Sequence, residues 1–227
     1  MFKSGDRILV ACSGGPDSIA LTSILMRLME EMQIEAGIAH LNHKIRNEAS
    51  EDMEFVREFA GKYHLPFHGK TVDVPAHAEK HNQTLEEAAR ECRYDFLNKT
   101  ARKKGYSKIA VGHNRDDNIE TVLFNFIRGS GISGLSGIKP VRDNIIRPIL
   151  FLSKDEIFEW LRSEGIAYVT DKTNMELTYS RNRIRNELIP FIKDNYNPNF
   201  EGSIERFSKI FSECEDYILD EVRKAAE

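Results

Sequence analysis

The chain reads as an α/β protein: a doubly wound, mainly parallel five-stranded sheet with a helical C-terminal extension. Three observations predict it. Short apolar runs alternate with helical stretches of 12 to 20 residues, the pattern of parallel crossover units. Distinctive loops, "SGGPDS", "HLNHKIR" and "GHNRDD", follow the first, second and fourth runs and so open onto one edge, where such sheets bind ligands. Beyond Ser153 the strand signal gives way to helix.

The elements follow in order. "RILVAC" (7–12) predicts the first strand, "EAGIAHL" (35–41) the second, "PFHGKTVDV" (66–74) the third, "KIAVGH" (108–113) the fourth and "NIIRPIL" (144–150) a fifth. Helices are expected over 17–32, 49–63, 84–104 and 116–128. "SKDEIFEWLRSEG" starts at a Ser cap three residues before Glu156 and stops at a Gly. Residues 1–195 are read as the catalytic domain, and 196–227 as a helical extension or the start of a linker to a further C-terminal domain. No internal repeat or low-complexity linker interrupts the pattern.

With 227 residues, 41% of them hydrophobic, and 13 Phe, the chain has the material for a full core. No apolar run approaches the ~20 residues of a membrane span, and "MFKSGDR" lacks the apolar region of a secretory signal, so a cytoplasmic location and no membrane partner are expected. Cys12, Cys92 and Cys214 have no CxxC spacing, which argues against a disulfide framework, a zinc site or a cluster. The net charge of −4 belongs to the tail: residues 199–227 hold eight acidic and four basic residues, leaving 28 of each sign before them. Within that neutral part, Arg181, Arg183 and Arg185 crowd into five residues, and "NKTARKKGYSK" adds a Lys-rich stretch read as a solvated helix face or a phosphate contact.

The turn "VACSGGPDS" (10–18) carries the sharpest chemistry. After the first strand ends near Ala11, Ser13, Gly14 and Gly15 let backbone amides converge on an anion. The helix beginning near Pro16 adds its unpaired amides and positive dipole end. Pro16 suits the first helical position because its missing N–H has no intrahelical partner to lose. Ser13 and Ser18 add hydroxyl donors. Asp17 would repel an anion unless a divalent cation stands between, so it is read as a magnesium ligand. The turn lacks the GK[ST] ending of a Walker loop, which leaves a metal-bound polyphosphate without ordinary γ-phosphate chemistry.

"SGGPDS" after a first strand resembles the PP-loop of N-type ATP pyrophosphatases, which have Rossmann-like sheets. Within that superfamily the chain is similar to the tRNA(Ile)-lysidine synthetase family. The resemblance is carried also by "HLNHKIR" (40–46), "TLEEAARECRYDFL" (84–97), "GHNRDDNIETVLFNFIRGSGISGLSGI" (112–138), "RPIL" (147–150) and "YVTDKTNMELTYSRNRIRNELIP" (168–190). It implies a carbon–nitrogen ligase that cleaves ATP between its α and β phosphates. The adenylyl group would activate the C2 oxygen of the wobble cytidine in the CAU anticodon of tRNA(Ile). The ε-amine of L-lysine would then displace AMP, changing codon reading from AUG to AUA. The partners implied are ATP, magnesium, L-lysine and that tRNA, with a homodimer left open. A sulfur-inserting tRNA thiolase of the same superfamily and a non-catalytic nucleotide-binding module are the competing readings; the first lacks its usual cysteines here.

Individual residues carry expectations of their own. Asp117 and Glu120, three apart on one helical face, suit a cationic amine or a metal, or merely an acidic helix start; the resemblance assigns them the lysine substrate. It also points to an arginine on the 84–104 helix, Arg93 in preference to Arg90, gripping the lysine carboxylate or the α-phosphate. His40, with Asn42 and His43 nearby, and His113 are read as adenosine contacts or as satisfied polar residues. Gly112 is read as allowing close approach of the fourth strand to the nucleotide. "FIRGSGISGLSGI" is read as a flexible loop closing over the site or touching RNA, with Arg128 a phosphate contact or a helix-end Arg. Arg181 and Arg185 on one face and Arg183 on another suit an RNA-contacting helix. Most members of the resembled family carry C-terminal domains that grip the tRNA acceptor stem, whereas this sequence stops after one acidic helix. Affinity and discrimination against the CAU-bearing methionine tRNA are therefore not accounted for by these residues.

Overall fold

The computed structural model of the chain describes residues 1–45, 49–170 and 182–226. They fall into two compact units: the described residues of Met1–Asn114 and Pro140–Asp171 form the first, and those of Arg115–Lys139 and Lys172–Glu227 the second.

The first unit is built on β1 (Arg7–Ala11), β2 (Glu35–Asn42), β3 (Phe67–Thr71), β4 (Lys108–Val111), β5 (Val141–Arg142) and β6 (Ile145–Ile146), in the order β3-β2-β1-β4-β6-β5. The five expected strands are the parallel ones, and β5 adds an antiparallel edge. The fifth strand is cut to two residues because Asp143 turns the chain with a φ of 56° before it and Pro148, which has no N–H for a ladder, follows closely. The third strand also ends early, at Thr71. There Asp73 accepts the Ala76 amide at 3.1 Å and caps a helix over Val74–His81 whose first turn contains Pro75.

Alternation along the strands supplies both cores. Ile8 and Val10 of β1, Ile38 of β2 and Ala110 of β4 face a layer that includes α1 (Pro16–Glu31), α2 (Ala49–Lys62) and the helix Lys154–Ser163. Leu9, Ala39 and Ile109 face the opposite layer with Val74–His81 and the helix Leu85–Lys104. The capping box expected at Ser153 with Glu156 forms, and the helix Leu85–Lys104 opens on a second one at Thr84 with Glu87. Gly37 is fixed by packing: a Cβ there would stand 2.0 Å from the Tyr106 hydroxyl, which hydrogen-bonds His68 Nε2 at 3.0 Å. Gly37→Ala is expected to cost about 2 kcal/mol by overpacking and to lower the melting temperature by roughly 4–8 °C. A scanning calorimetry trace that overlays the wild type would contradict this packing.

The described residues of the second unit form helical segments: Arg115–Ile127, Ile132–Leu135, a π-helical turn Ile184–Leu188, Ile189–Asn195 and the long helix Phe200–Ala226. Ile119, Leu123, Ile184 and Ile189 form its core, with Phe200 and Ile204 against them. The glycine-rich stretch expected to be a flexible loop is instead tied down. Asn118 Oδ1 accepts the Ile138 amide at 2.7 Å, Asn125 donates to the Gly134 carbonyl at 2.8 Å, and Ser208 donates to the Ser136 carbonyl at 3.0 Å. Gly137, at φ +73°, leaves no room for a Cβ, which would lie 2.4 Å from Asn118 Oδ1. Its glycines serve close packing as well as turning.

Lys139 closes the same stretch against Glu215 at 2.8 Å. The bond from Lys139, with help from Ser133 and Ser136, holds the Glu215 carboxyl down at about 2. Because folding depresses this group, its stabilising contribution is complete above the ordinary carboxylate range and is lost as pH falls toward 2. Thermal melts of wild type and Glu215→Gln are expected to differ clearly at pH 6 and to converge near pH 2.5. A constant difference across that range would show that the ion pair does not carry it.

Among the described residues no helix is long and apolar enough to cross a membrane.

Candidate active site

The turn after β1 lies where the strand order reverses between β1 and β4, the crevice position of an open α/β sheet. Ala11 ends the strand, and Ser13 to Ser18 make the bend into α1. Gly14 takes a φ of +96°, and a Cβ there would meet Val56 and Val169 at 3.3 and 3.4 Å. Ser18 Oγ braces the bend, accepting the Ser13 amide at 3.1 Å and donating to the Gly15 carbonyl at 3.0 Å. Gly15 is the N-cap of α1 and makes no side-chain cap, and Pro16 opens the helix. The first-turn amides are thus aimed at the bend with no cap side chain from Gly15 competing for them.

Asp17 sits in that first turn and accepts from Asn114 Nδ2 at 2.9 Å. Asn114 is fully buried, so this bond pins the carboxylate across the crevice. Gly112 serves the same junction: a Cβ would lie 3.2 Å from the Asp17 carbonyl carbon and 3.3 Å from the Ser18 nitrogen. The close approach expected of the fourth strand is therefore to the backbone of the bend.

Around the neighbouring loops the polar residues are sorted by burial. His40 is buried and donates from Nδ1 to the Cys12 carbonyl at 2.9 Å; burial lowers its pKa. That contact braces the entry to the bend. Asn42 Oδ1 accepts the Lys44 amide at 2.9 Å and shapes the loop. His43 is pushed down to about 4 by burial, then by the nearby Arg93 and His40 charges, and its buried Nδ1 has no hydrogen-bond partner. Arg93 remains solvent-accessible on its helix, yet protein atoms crowd its guanidinium enough to lower its pKa. Arg90 and Arg93 both flank the Tyr94 ring, at 5.1 and 6.0 Å. Sequence reasoning assigned no role to Arg147, a buried residue of "RPIL" that donates from Nε to His113 Nδ1 at 3.2 Å and hydrogen-bonds Tyr94. Its signal was an arginine at a strand end inside a matched block. Asn114 was likewise missed, although it stands in "GHNRDD".

In the second unit the two acids of Arg115–Ile127 have company. Glu120 is 4% exposed and receives the Arg185 Nε at short range, while Arg185 Nη2 stands 3.7 Å from Asp117 Oδ1. Burial works against the charge on Arg185, and Glu120, Asp117 and Asp116 outweigh it, so the pKa rises and the guanidinium stays charged. Arg185 is thus turned toward these acids. Ile184–Leu188 is a π-helical turn, with Pro190 lacking an N–H just beyond it, and the residue spacing of an α-helix no longer applies. Arg183 points outward and pairs with Glu187 at 3.2 Å, and Arg181 lies outside the described residues. Arg128 lies over the Phe124 ring at 4.7 Å and precedes Gly129 at φ +72°, the geometry of a helix-end Arg. A cavity of about 320 Å³ opens beside Glu120, with Asp116, Arg185, Lys193, Ile119 and Ile189 also in its lining.

A doubly wound sheet whose glycine–serine bend presents helix-start amides at the switch point defines a PP-loop nucleotide-binding protein, and the chain belongs to that family: residues 2–192 match the PP-loop domain. Its relatives include proteins named tRNA(Ile)-lysidine synthase. That of Clostridium tetani is 42% identical over 96% of this chain and 47% of its own length, and that of Petrotoga mobilis 40% identical over 92% and 67%. The chain spans about half the length of the clostridial relatives it matches. Among solved structures, the U34-tRNA thiolase NcsA of Methanococcus maripaludis, determined with its [4Fe-4S] cluster, shares the fold. The TM-score is 0.78 at 18% identity over 93% of this chain and 73% of that one. In the present chain all three cysteines are free.

Proposed function

We propose that this chain carries the chemistry of a tRNA(Ile)-lysidine synthase. ATP adenylates the C2 oxygen of the wobble cytidine in a CAU anticodon with loss of pyrophosphate, and the ε-amine of L-lysine displaces AMP. A neutral cytidine carbonyl is a poor electrophile, and adenylation turns its oxygen into part of a leaving group. The observation that carries the reading is the Ser13–Ser18 bend at the switch point, where α1 starts without a side-chain cap and its first-turn amides suit the departing diphosphate. The lysine and tRNA halves are supported by relatives named tRNA(Ile)-lysidine synthase at 40–43% identity. The catalytic chemistry is assigned to residues 1–195 of a cytoplasmic enzyme, with 196–227 as a helical extension.

Each residue then has a task. Ser13, Gly14, Gly15 and Ser18 hold phosphate oxygens, with Ala11 and Gly112 forming the walls of the bend. His113, oriented by Arg147, is assigned to the nucleotide, as is the unpartnered Nδ1 of His43. Arg93 takes the lysine carboxylate or the α-phosphate, and Asp117 and Glu120 take the ammonium. Arg128 and Arg183, on the second unit's surface, are assigned to tRNA phosphates. Magnesium fits the bend: it favours one or two carboxylates plus substrate phosphates, and Asp17 supplies one oriented carboxylate. When bound it would offset phosphate charge.

Pyrophosphate release from ATP tests the reading. Release is expected only with the CAU isoleucine tRNA and not with the methionine tRNA, and it continues past one equivalent per enzyme only when L-lysine is present to displace AMP. Release that needs a sulfur donor points to a thiolase, and none under any combination points to a binding module; either sinks the proposal.

A further inference from the structure

We infer that Arg185 is the resident cation of the Asp117–Glu120 pair and that the substrate amine binds by displacing it, so that Arg185 sets the affinity and selectivity of the amine site. This rests on the reading of those acids as the ammonium site. The geometry is specific. The guanidinium bonds the nearly buried Glu120 through Nε and reaches toward the more open Asp117 at 3.7 Å through Nη2. It therefore already supplies the positive charge that an incoming ammonium would bring.

Two positive charges cannot share one carboxylate pair without loss of attraction for each, so occupancy by Arg185 and by an amine are coupled with negative sign. Asp117 is the point of entry because its contact with Arg185 is the longer one and its side chain is 28% exposed against 6% for Glu120. The cavity beside Glu120 is lined in part by Ile119 and Ile189, which suit the methylene stem of an alkylammonium, and by Asp116; its other cation among the described residues, Lys193, is paired with Glu201 at 3.0 Å. A neutral or short ligand brings too little charge or too little stem to move the guanidinium. An amine on a long aliphatic chain brings both. Arg185 thus acts through the acids it neutralises, as a positioning and selectivity residue.

The test is calorimetric titration of L-lysine into wild type, Arg185→Gln and Arg185→Lys, each with ATP and magnesium present. Without the resident guanidinium, L-lysine is expected to bind about five-fold or more tightly to Arg185→Gln. Guanidinium chloride at low millimolar concentration is expected to compete with lysine in that variant and to have little effect on wild type. Should Arg185→Gln lose its cooperative melting transition, Arg185→Lys carries the same comparison, because a point charge bridges two carboxylates less well than a planar fork. Weaker lysine binding in the variants, or no competition by guanidinium, would overturn this inference alone. Absence of lysine binding to wild type and variants alike would overturn the ammonium-site reading together with it.

Discussion

Asp17→Asn is expected to reduce magnesium-dependent pyrophosphate release by about two orders of magnitude or more, with little change in melting temperature. The reasoning begins with charge. A carboxylate in the first turn of α1 is favoured by the helix dipole, but it stands at the same point where the bend would gather phosphates. With the polyphosphate bound, the two anions are compatible only through a cation. Asparagine is close in shape, retains an oxygen to accept from Asn114, and removes the charge. The fold therefore has little reason to change while the metal loses its charged ligand. Stability is checked by thermal melting, and turnover is followed across a magnesium titration. Turnover equal to wild type at every magnesium concentration would remove Asp17 from the metal's coordination.

The second large effect is expected at the amine. Asp117→Ala should raise the lysine KM about 10- to 100-fold, the worth of a hydrogen bond to a charged group, and leave the ATP KM within about two-fold. Asp117 is the more open member of the pair and holds Arg185 at the longer distance, so an incoming ammonium reaches it more readily than Glu120. Glu120→Ala serves as the contrast: it strips a buried counter-ion from Arg185 and is expected to destabilise the unit as well. Equal effects of Asp117→Ala on lysine and ATP would count against an amine site there.

Much of the first unit was legible as sequence because its signals are local. Alternating apolar residues mark β1, β2 and β4, Thr84 with Glu87 and Ser153 with Glu156 mark helix starts, and Ser-Gly-Gly-Pro-Asp-Ser marks a bend that only small residues permit. The helix Val74–His81 was missed although Asp73 and Pro75 announce it, because the β-branched Thr71, Val72 and Val74 extended the strand reading past Asp73. The glycines of 129–139 were misjudged for another reason. A glycine needed for close contact and one needed for motion look alike until Asn118, Ser208 and Gly137 are seen together.

Composition and order along the chain alone determined the doubly wound class, the position of the phosphate bend and the residue types that can serve it, since each depends on neighbours within a few residues. Only the tertiary structure decided which charges meet: Asn114 on Asp17, Arg147 on His113, and Arg185 on Glu120 across 65 positions of sequence. Charge pairing depends on distance in space, and nothing in the spacing of "NRIRNE" says that one of its arginines turns inward while its neighbour stays in water.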